Sequence, residues 1–94
     1  MKDPDEKFYD RADEHIHLSN AQLKDIGSGK VSASMMYATA RFNCWRTASG
    51  FESAKDMKEL REQNIEYFVA EYRKMLEENM DDYIDNFERY MSQP

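Results

Sequence analysis

The chain has 94 residues and a net charge of −6, and 40% of its residues are hydrophobic and 34% charged. This length fits a single domain over residues 1–94, and the aromatic content of 13% argues against a disordered chain. Because phosphate groups repel an acidic protein, the composition predicts neither nucleic acid nor an anionic membrane surface as a partner.

No targeting or membrane segment is expected from the sequence. The N-terminal residues 1–6 are charged and contain no apolar segment of the kind that a secretory signal requires. No apolar run approaches the roughly 20 residues that a membrane-spanning helix needs. The single cysteine, Cys44, cannot form a disulfide within the chain. These features predict a cytoplasmic protein.

Three helices are predicted, and together they give an all-α fold. The first covers about residues 4–26, with Asp3 as N-cap and Pro4 at the first helical position. Gly27 is predicted to end this helix in the left-handed conformation that glycine adopts readily. Apolar and small side chains recur along it at helical spacing, at Phe8, Ala12, Ile16, Leu23 and Ile26.

The second predicted helix covers about residues 31–48 and is unusual in its charges. Its apolar stripe consists of Val31, Met35, Ala38, Phe42 and Trp45. No acidic residue lies between Ile26 and Glu52, so Arg41 and Arg46 need carboxylates from other helices. We expect an ion-pair network between helices, because the guanidinium group fits a carboxylate. An anion-binding site is the alternative.

The third predicted helix covers about residues 54–91, begins after Ser53, and would be about 55 Å long if straight. A domain of this size has a radius of gyration of only about 12–13 Å. The helix therefore either breaks near Glu78-Asn79 or extends beyond the domain. An extending apolar end needs cover, and self-association is the simplest source. The predicted interface residues are Met80, Tyr83, Ile84, Phe87 and Met91.

One pair of side chains has the spacing of a metal site. Glu14 and His17 lie three residues apart in the first predicted helix and therefore share a face. Di-iron helical bundles use this Glu-x-x-His unit twice, together with two further carboxylates. One chain supplies one unit, so an iron or manganese site would form only between subunits. The alternative is that both side chains are ordinary surface contacts.

Other candidates for chemistry have simpler structural explanations. Cys44 is expected to be a small, buried apolar residue, as free cysteines usually are, and a reactive thiol activated by Arg41 is the alternative. The run from Glu77 to Glu88 holds six acids and no base, and it is interpreted as a solvated helix face. No phosphate-binding loop or catalytic triad is recognisable in the sequence. The chain therefore predicts no catalytic residue and no cofactor.

The chain resembles a family of small, uncharacterised bacterial proteins, seen mainly in proteobacteria, whose domain has no known function. The resemblance covers nearly the whole chain and implies a bacterial cytosolic source without an assigned activity. The stretches that carry it include Phe8-Tyr9-Asp10-Arg11-Ala12-Asp13, Lys30-Val31-Ser32, Tyr37-Ala38-Thr39-Ala40-Arg41-Phe42-Asn43, Glu66-Tyr67-Phe68, Tyr72-Arg73-Lys74-Met75-Leu76-Glu77-Glu78-Asn79 and Asp81-Asp82-Tyr83-Ile84.

Together, these features favour a non-enzymatic cytoplasmic module for structure or protein interaction that self-associates through its third helix. An unidentified protein partner, as for a regulatory or antitoxin-like protein, is a further possibility. A metal-binding helical bundle with its site between subunits is the alternative from another functional class.

Overall fold

The computed structural model describes residues 5–92, which form five α-helices and, within that range, no strand. The all-α prediction is confirmed. The prediction of three helices is wrong, because the third predicted helix is divided into three. None of the described helices has the length and apolar character to cross a membrane. The helices are α1 (Phe8–Gln22), α2 (Ser28–Ala48), α3 (Ala54–Glu59), α4 (Arg61–Asp85) and α5 (Phe87–Met91).

Helix α1 begins later than predicted, and an acid outside it supports its start. The predicted cap residues Asp3 and Pro4 lie outside the described residues. The Asp5 carboxylate accepts a hydrogen bond of 3.0 Å from the Lys7 backbone N–H and two from the Arg11 guanidinium, of 2.9 and 3.2 Å. The Arg11 bond, followed by the Lys7 bond, lowers the pKa of Asp5 below its ordinary 3.8. This support is therefore present above that pH and is lost in stronger acid.

The connection between α1 and α2 departs from the prediction at Gly27. Helix α1 ends at Gln22, and a turn follows before α2 begins at Ser28. Gly27 has φ −65° and ψ 150° and is the N-cap of α2, so the predicted left-handed helix end is wrong. No glycine in the described range has a positive φ. The Gly27 carbonyl accepts the backbone N–H groups of Lys30 and Val31 at 3.1 and 3.2 Å.

Residues 5–54 form one compact unit in which α1 contacts α2. Among the described residues only Val31 is buried, with 5% of its surface exposed. Met35 is half-buried, whereas Phe42 and Trp45 are 61% and 63% exposed. The predicted stripe of α2 is thus buried only at its N-terminal end. Helix α1 has 15 residues and α2 has 21, so α2 is longer by about 9 Å.

Residues 55–92 form a second compact unit. The third predicted helix is interrupted at Leu60 and at Asn86, on either side of α4, and not in the middle of α4. Leu60 has φ −106° and ψ 12°, and Asn86 has φ −121° and ψ 28°. The predicted break at Glu78-Asn79 is wrong, because α4 continues through it. The Asn79 side-chain amide donates a 2.8 Å hydrogen bond to the backbone carbonyl of Met75, one turn earlier. Whether residues 1–94 behave as one domain stays a prediction.

We expect Val31→Ala to lower the free energy of unfolding by about 1–2 kcal/mol, because it removes two buried methyl groups. Urea denaturation followed by circular dichroism at 222 nm measures this loss. Met36→Ala is the matched control on the same helix, since the Met36 side chain is exposed. Equal losses in the two variants would contradict a core centred on Val31.

Candidate interaction surface

One side of α4 carries large apolar side chains that remain exposed. They follow one another at intervals of three or four residues, which places them on one face of the helix. All five predicted interface residues are exposed, with fractions between 47% and 65%. We call these five residues the α4–α5 surface: Met80, Tyr83 and Ile84 of α4 and Phe87 and Met91 of α5. Val69, Tyr72 and Leu76, also exposed, extend the apolar side towards the start of α4.

An acidic side of α4 begins beside Ile84 and extends around the helix away from the apolar side. Glu77, Asp81 and Asp85 follow one another at intervals of four residues and are exposed. The Glu77 carboxylate lies 3.2 Å from the Arg73 side-chain Nε, one turn earlier. An exposed pair of this kind contributes at most about 1 kcal/mol, so most of the negative charge is available to a partner.

A hydrogen-bonded cluster joins α5 to the end of α4. The Asn86 side-chain amide donates to the Asp82 backbone carbonyl at 3.0 Å and to its Oδ1 at 2.9 Å. The Tyr90 hydroxyl donates to Oδ2 of the same carboxylate at 2.6 Å. Asp82 thus binds both Asn86, at the interruption, and Tyr90, one turn beyond it. This cluster was not predicted from the sequence. The four-residue spacing of Asp82, Asn86 and Tyr90 indicates that the three residues are neighbours, but it does not reveal their hydrogen bonds.

Ring contacts reinforce the same junction. The Tyr90 ring stacks on the Tyr83 ring with centroids 4.3 Å apart, and the Arg89 guanidinium lies 5.0 Å from the Tyr90 centroid. The hydrogen bond to Asp82 is the main reason that the pKa of Tyr90 is raised above 10.0. These contacts attach α5 to Tyr83, which belongs to the α4–α5 surface. They therefore keep α5 in a position where its residue Phe87 extends that surface.

The exposed end of α2 forms a second distinctive face. We call Arg41, Phe42, Trp45 and Arg46 the α2 face. The rings of Phe42 and Trp45 lie 6.0 Å apart, and the Arg46 guanidinium lies 5.8 Å from the Trp45 centroid. Arg46 also donates to the Ser49 hydroxyl at 3.3 Å. Within residues 5–54 neither arginine forms an ion pair, so the expected network remains a prediction.

The predicted metal ligands lie on α1, apart from these two faces in the sequence. Glu14 and His17 are exposed on α1, three residues apart as predicted. Across residues 5–92, no group of three or more His, Cys, Asp or Glu side chains is arranged to hold a metal ion. Cys44 is exposed rather than buried, contrary to the expectation of a packed apolar residue.

A cavity of about 300 Å³ lies at the turn between α1 and α2. It contains one acid and one base but neither histidine nor cysteine, so it offers no obvious catalytic group. Its lining consists of Gln22, Asp25, Ile26, Lys30, Val31 and Ser34.

Comparison with known proteins identifies the family but no activity. Residues 8–84 match the model of a family described as a protein of unknown function, DUF3144. The chain belongs to this family. It is also similar to the NMR structure of the protein NB7890A from Shewanella sp, with 38% sequence identity and a TM-score of 0.78. The similarity covers 99% of this chain and 100% of that one. No curated protein matches the chain.

These comparisons confirm the resemblance to a small uncharacterised family. The proteobacterial source of the similar structure agrees with the expected distribution. The match to the DUF3144 model spans α1, α2, α3 and nearly all of α4, and it ends at Ile84. The hydrogen-bonded junction of α4 and α5 therefore extends beyond the part of the chain that the family model matches.

We expect Tyr90→Phe to loosen α5, because the ring stack is retained but the hydrogen bond to Asp82 is lost. Amide hydrogen exchange should accelerate at residues 86–91 and stay unchanged in the middle of α4. Tyr67→Phe, at an exposed position of α4, is the matched control. Unchanged exchange in Tyr90→Phe would show that the hydroxyl does not hold the junction.

The same bond predicts a pH dependence. The folded-state pKa of Tyr90 is raised, so its contribution is fully present below the ordinary value of 10.0 and is lost as the pH rises through the folded value. In absorbance titrations at 295 nm, Tyr90→Phe should remove a tyrosine that ionises above pH 10.0. Loss of a tyrosine that ionises at an ordinary pH would contradict the assignment.

Proposed function

We propose that this DUF3144 protein is a non-enzymatic interaction module of the bacterial cytoplasm that self-associates through its α4–α5 surface. The observation that carries the proposal is the exposure of all five apolar side chains of this surface, between 47% and 65%. Soluble proteins rarely leave contiguous apolar patches of this kind uncovered, and such patches usually mark interfaces.

The construction of the surface also favours binding. Tyr90 is held by both Asp82 and Tyr83, so α5 is fixed relative to the end of α4 before any partner arrives. Ordering a segment during association costs free energy, and a surface that is already ordered avoids this cost. Met80 and Met91 add flexible side chains that adapt to the shape of a facing helix.

A second copy of the chain is the proposed partner. Closed two-fold dimers are the commonest soluble oligomers, and in such a dimer the same set of residues of each copy lies in the interface. Binding of another protein by its helix in a groove is the competing outcome, and it predicts a monomer in the absence of that protein.

We expect the wild-type mass by light scattering after size exclusion to be that of a dimer or larger assembly. Ile84→Glu should raise the dissociation constant by roughly a hundredfold or more, because each buried isoleucine contributes about 1.5–3 kcal/mol and a two-fold dimer contains the change twice. Gln63→Glu adds the same charge to α4 at an exposed position and should leave the mass unchanged. A monomeric wild type at every concentration would overturn the proposal.

The metal-binding alternative also depends on self-association. Each chain offers one Glu14 and one His17, and a di-metal site needs two such units with additional carboxylates. Within the described residues of one chain no cluster of three potential ligands is present, which leaves this function without a supporting observation. A site between subunits would require α1 of two copies to meet.

We therefore expect protein purified without a histidine tag to retain no stoichiometric iron or manganese. Elemental analysis by mass spectrometry measures the metal content. Near-stoichiometric metal that disappears in His17→Ala but persists in His15→Ala would reverse this expectation in favour of the di-metal site. The two histidines are two residues apart on α1 and point to different sides, which makes His15 a suitable control.

A further inference from the structure

The α2 face is an apolar stripe with positively charged edges. Successive residues of a helix are rotated by about 100°, so Arg41 and Arg46 lie on opposite edges of the stripe that contains Phe42 and Trp45. The two aromatic side chains are mostly exposed. Residues 27–51 contain no acid, so nothing in α2 or in the segments adjoining it neutralises these edges.

The α4–α5 surface is an apolar stripe with one acidic edge. Residues 77–88 contain six acids and no base. By the same rotation, Glu77 lies beside Ile84 at one edge of the apolar side, and Asp81 and Asp85 follow it around the helix. Each of the two faces therefore has an apolar centre, and the acidic edge of this surface is opposite in charge to the basic edges of the α2 face.

We propose that the α2 face of one copy binds the α4–α5 surface of a second copy, with Arg41 and Arg46 forming ion pairs with acids of residues 77–88. The inference rests on the proposed self-association and identifies the surface of the partner. A two-fold dimer would contain this contact twice, once in each direction.

Charge decides between this pairing and a contact of two α4–α5 surfaces. Packing that surface antiparallel on itself would place the two acidic edges on the same side of the contact, and like charges across an interface weaken binding strongly. The α2 face instead offers guanidinium groups, which bind carboxylates through two parallel hydrogen bonds. Tryptophan and arginine are also the residues most often responsible for affinity in interfaces.

Two charge-reversed variants test the pairing. The first reverses the α2 face and carries Arg41→Glu and Arg46→Glu. The second reverses the acidic run but keeps Asp82, which holds α5, and carries Glu77→Lys, Asp81→Lys, Asp85→Lys and Glu88→Lys. Each variant alone would bring like charges together, and we expect at least about a tenfold weaker self-association than wild type.

An equimolar mixture of the two variants should recover the mass of the wild-type assembly in light scattering. In the mixed dimer both contacts join opposite charges again, because each variant keeps one unchanged face. The double variant Lys55→Glu with Lys58→Glu makes the same charge change as the first variant on α3 and should associate like wild type. Recovery in the mixture requires folded chains, so it also excludes misfolding as the cause of the separate losses.

The remaining outcomes overturn the inference in distinguishable ways. If Arg41→Glu with Arg46→Glu associates like wild type while Ile84→Glu does not, self-association survives but the α2 face is not its partner. If both charge-reversed variants are monomeric and their mixture stays monomeric, the proposed pairing between copies is wrong. If the wild type is itself monomeric at every concentration, both the inference and the proposed function fail.

Discussion

The separation of acidic and apolar side chains around α4 is the constraint on which the rest of the structure depends. Exposure of its acids to water is favourable, whereas exposure of its large apolar side chains to water is unfavourable. Elsewhere in the described chain, burial is also sparse, with Val31 the one buried residue. A chain of 94 residues gains little from such a core, and small domains commonly need an additional source of stability. In the proposed self-association, covering the apolar side of α4 would supply that source.

The two units stabilise their helix ends in different ways. In residues 5–54, Asp5 lies outside α1 and binds Arg11 within it, so one charged pair spans the start of the helix. In residues 55–92, Asp82 lies within α4 and binds residues on the other side of the interruption at Asn86. In each case a single carboxylate accepts hydrogen bonds from several donors, and its negative charge makes these bonds stronger than those between neutral groups.

Periodicity predicted the helices well, because apolar residues at intervals of three and four recur through most of the chain. The interruptions at Leu60 and Asn86 were not predictable in this way, since neither position has the glycine or proline that usually marks a helix end. The prediction at Gly27 was wrong for the opposite reason, because a glycine is suited both to the end of one helix and to the start of the next. The five predicted interface residues are exposed as an interface requires, whereas the bond from Tyr90 to Asp82 depends on an arrangement of three side chains that no single spacing reveals.

The helix contacts described above join neighbours in the sequence, α1 with α2 and α4 with α5. Proteins rich in such local contacts fold in microseconds to milliseconds, because little chain entropy is lost before each contact forms. Each unit would then acquire its helices soon after its residues leave the ribosome. Assembly of two copies depends on their concentration and would follow as the slower step. The amount of protein in the cell, rather than its rate of folding, would then govern how much of it is assembled.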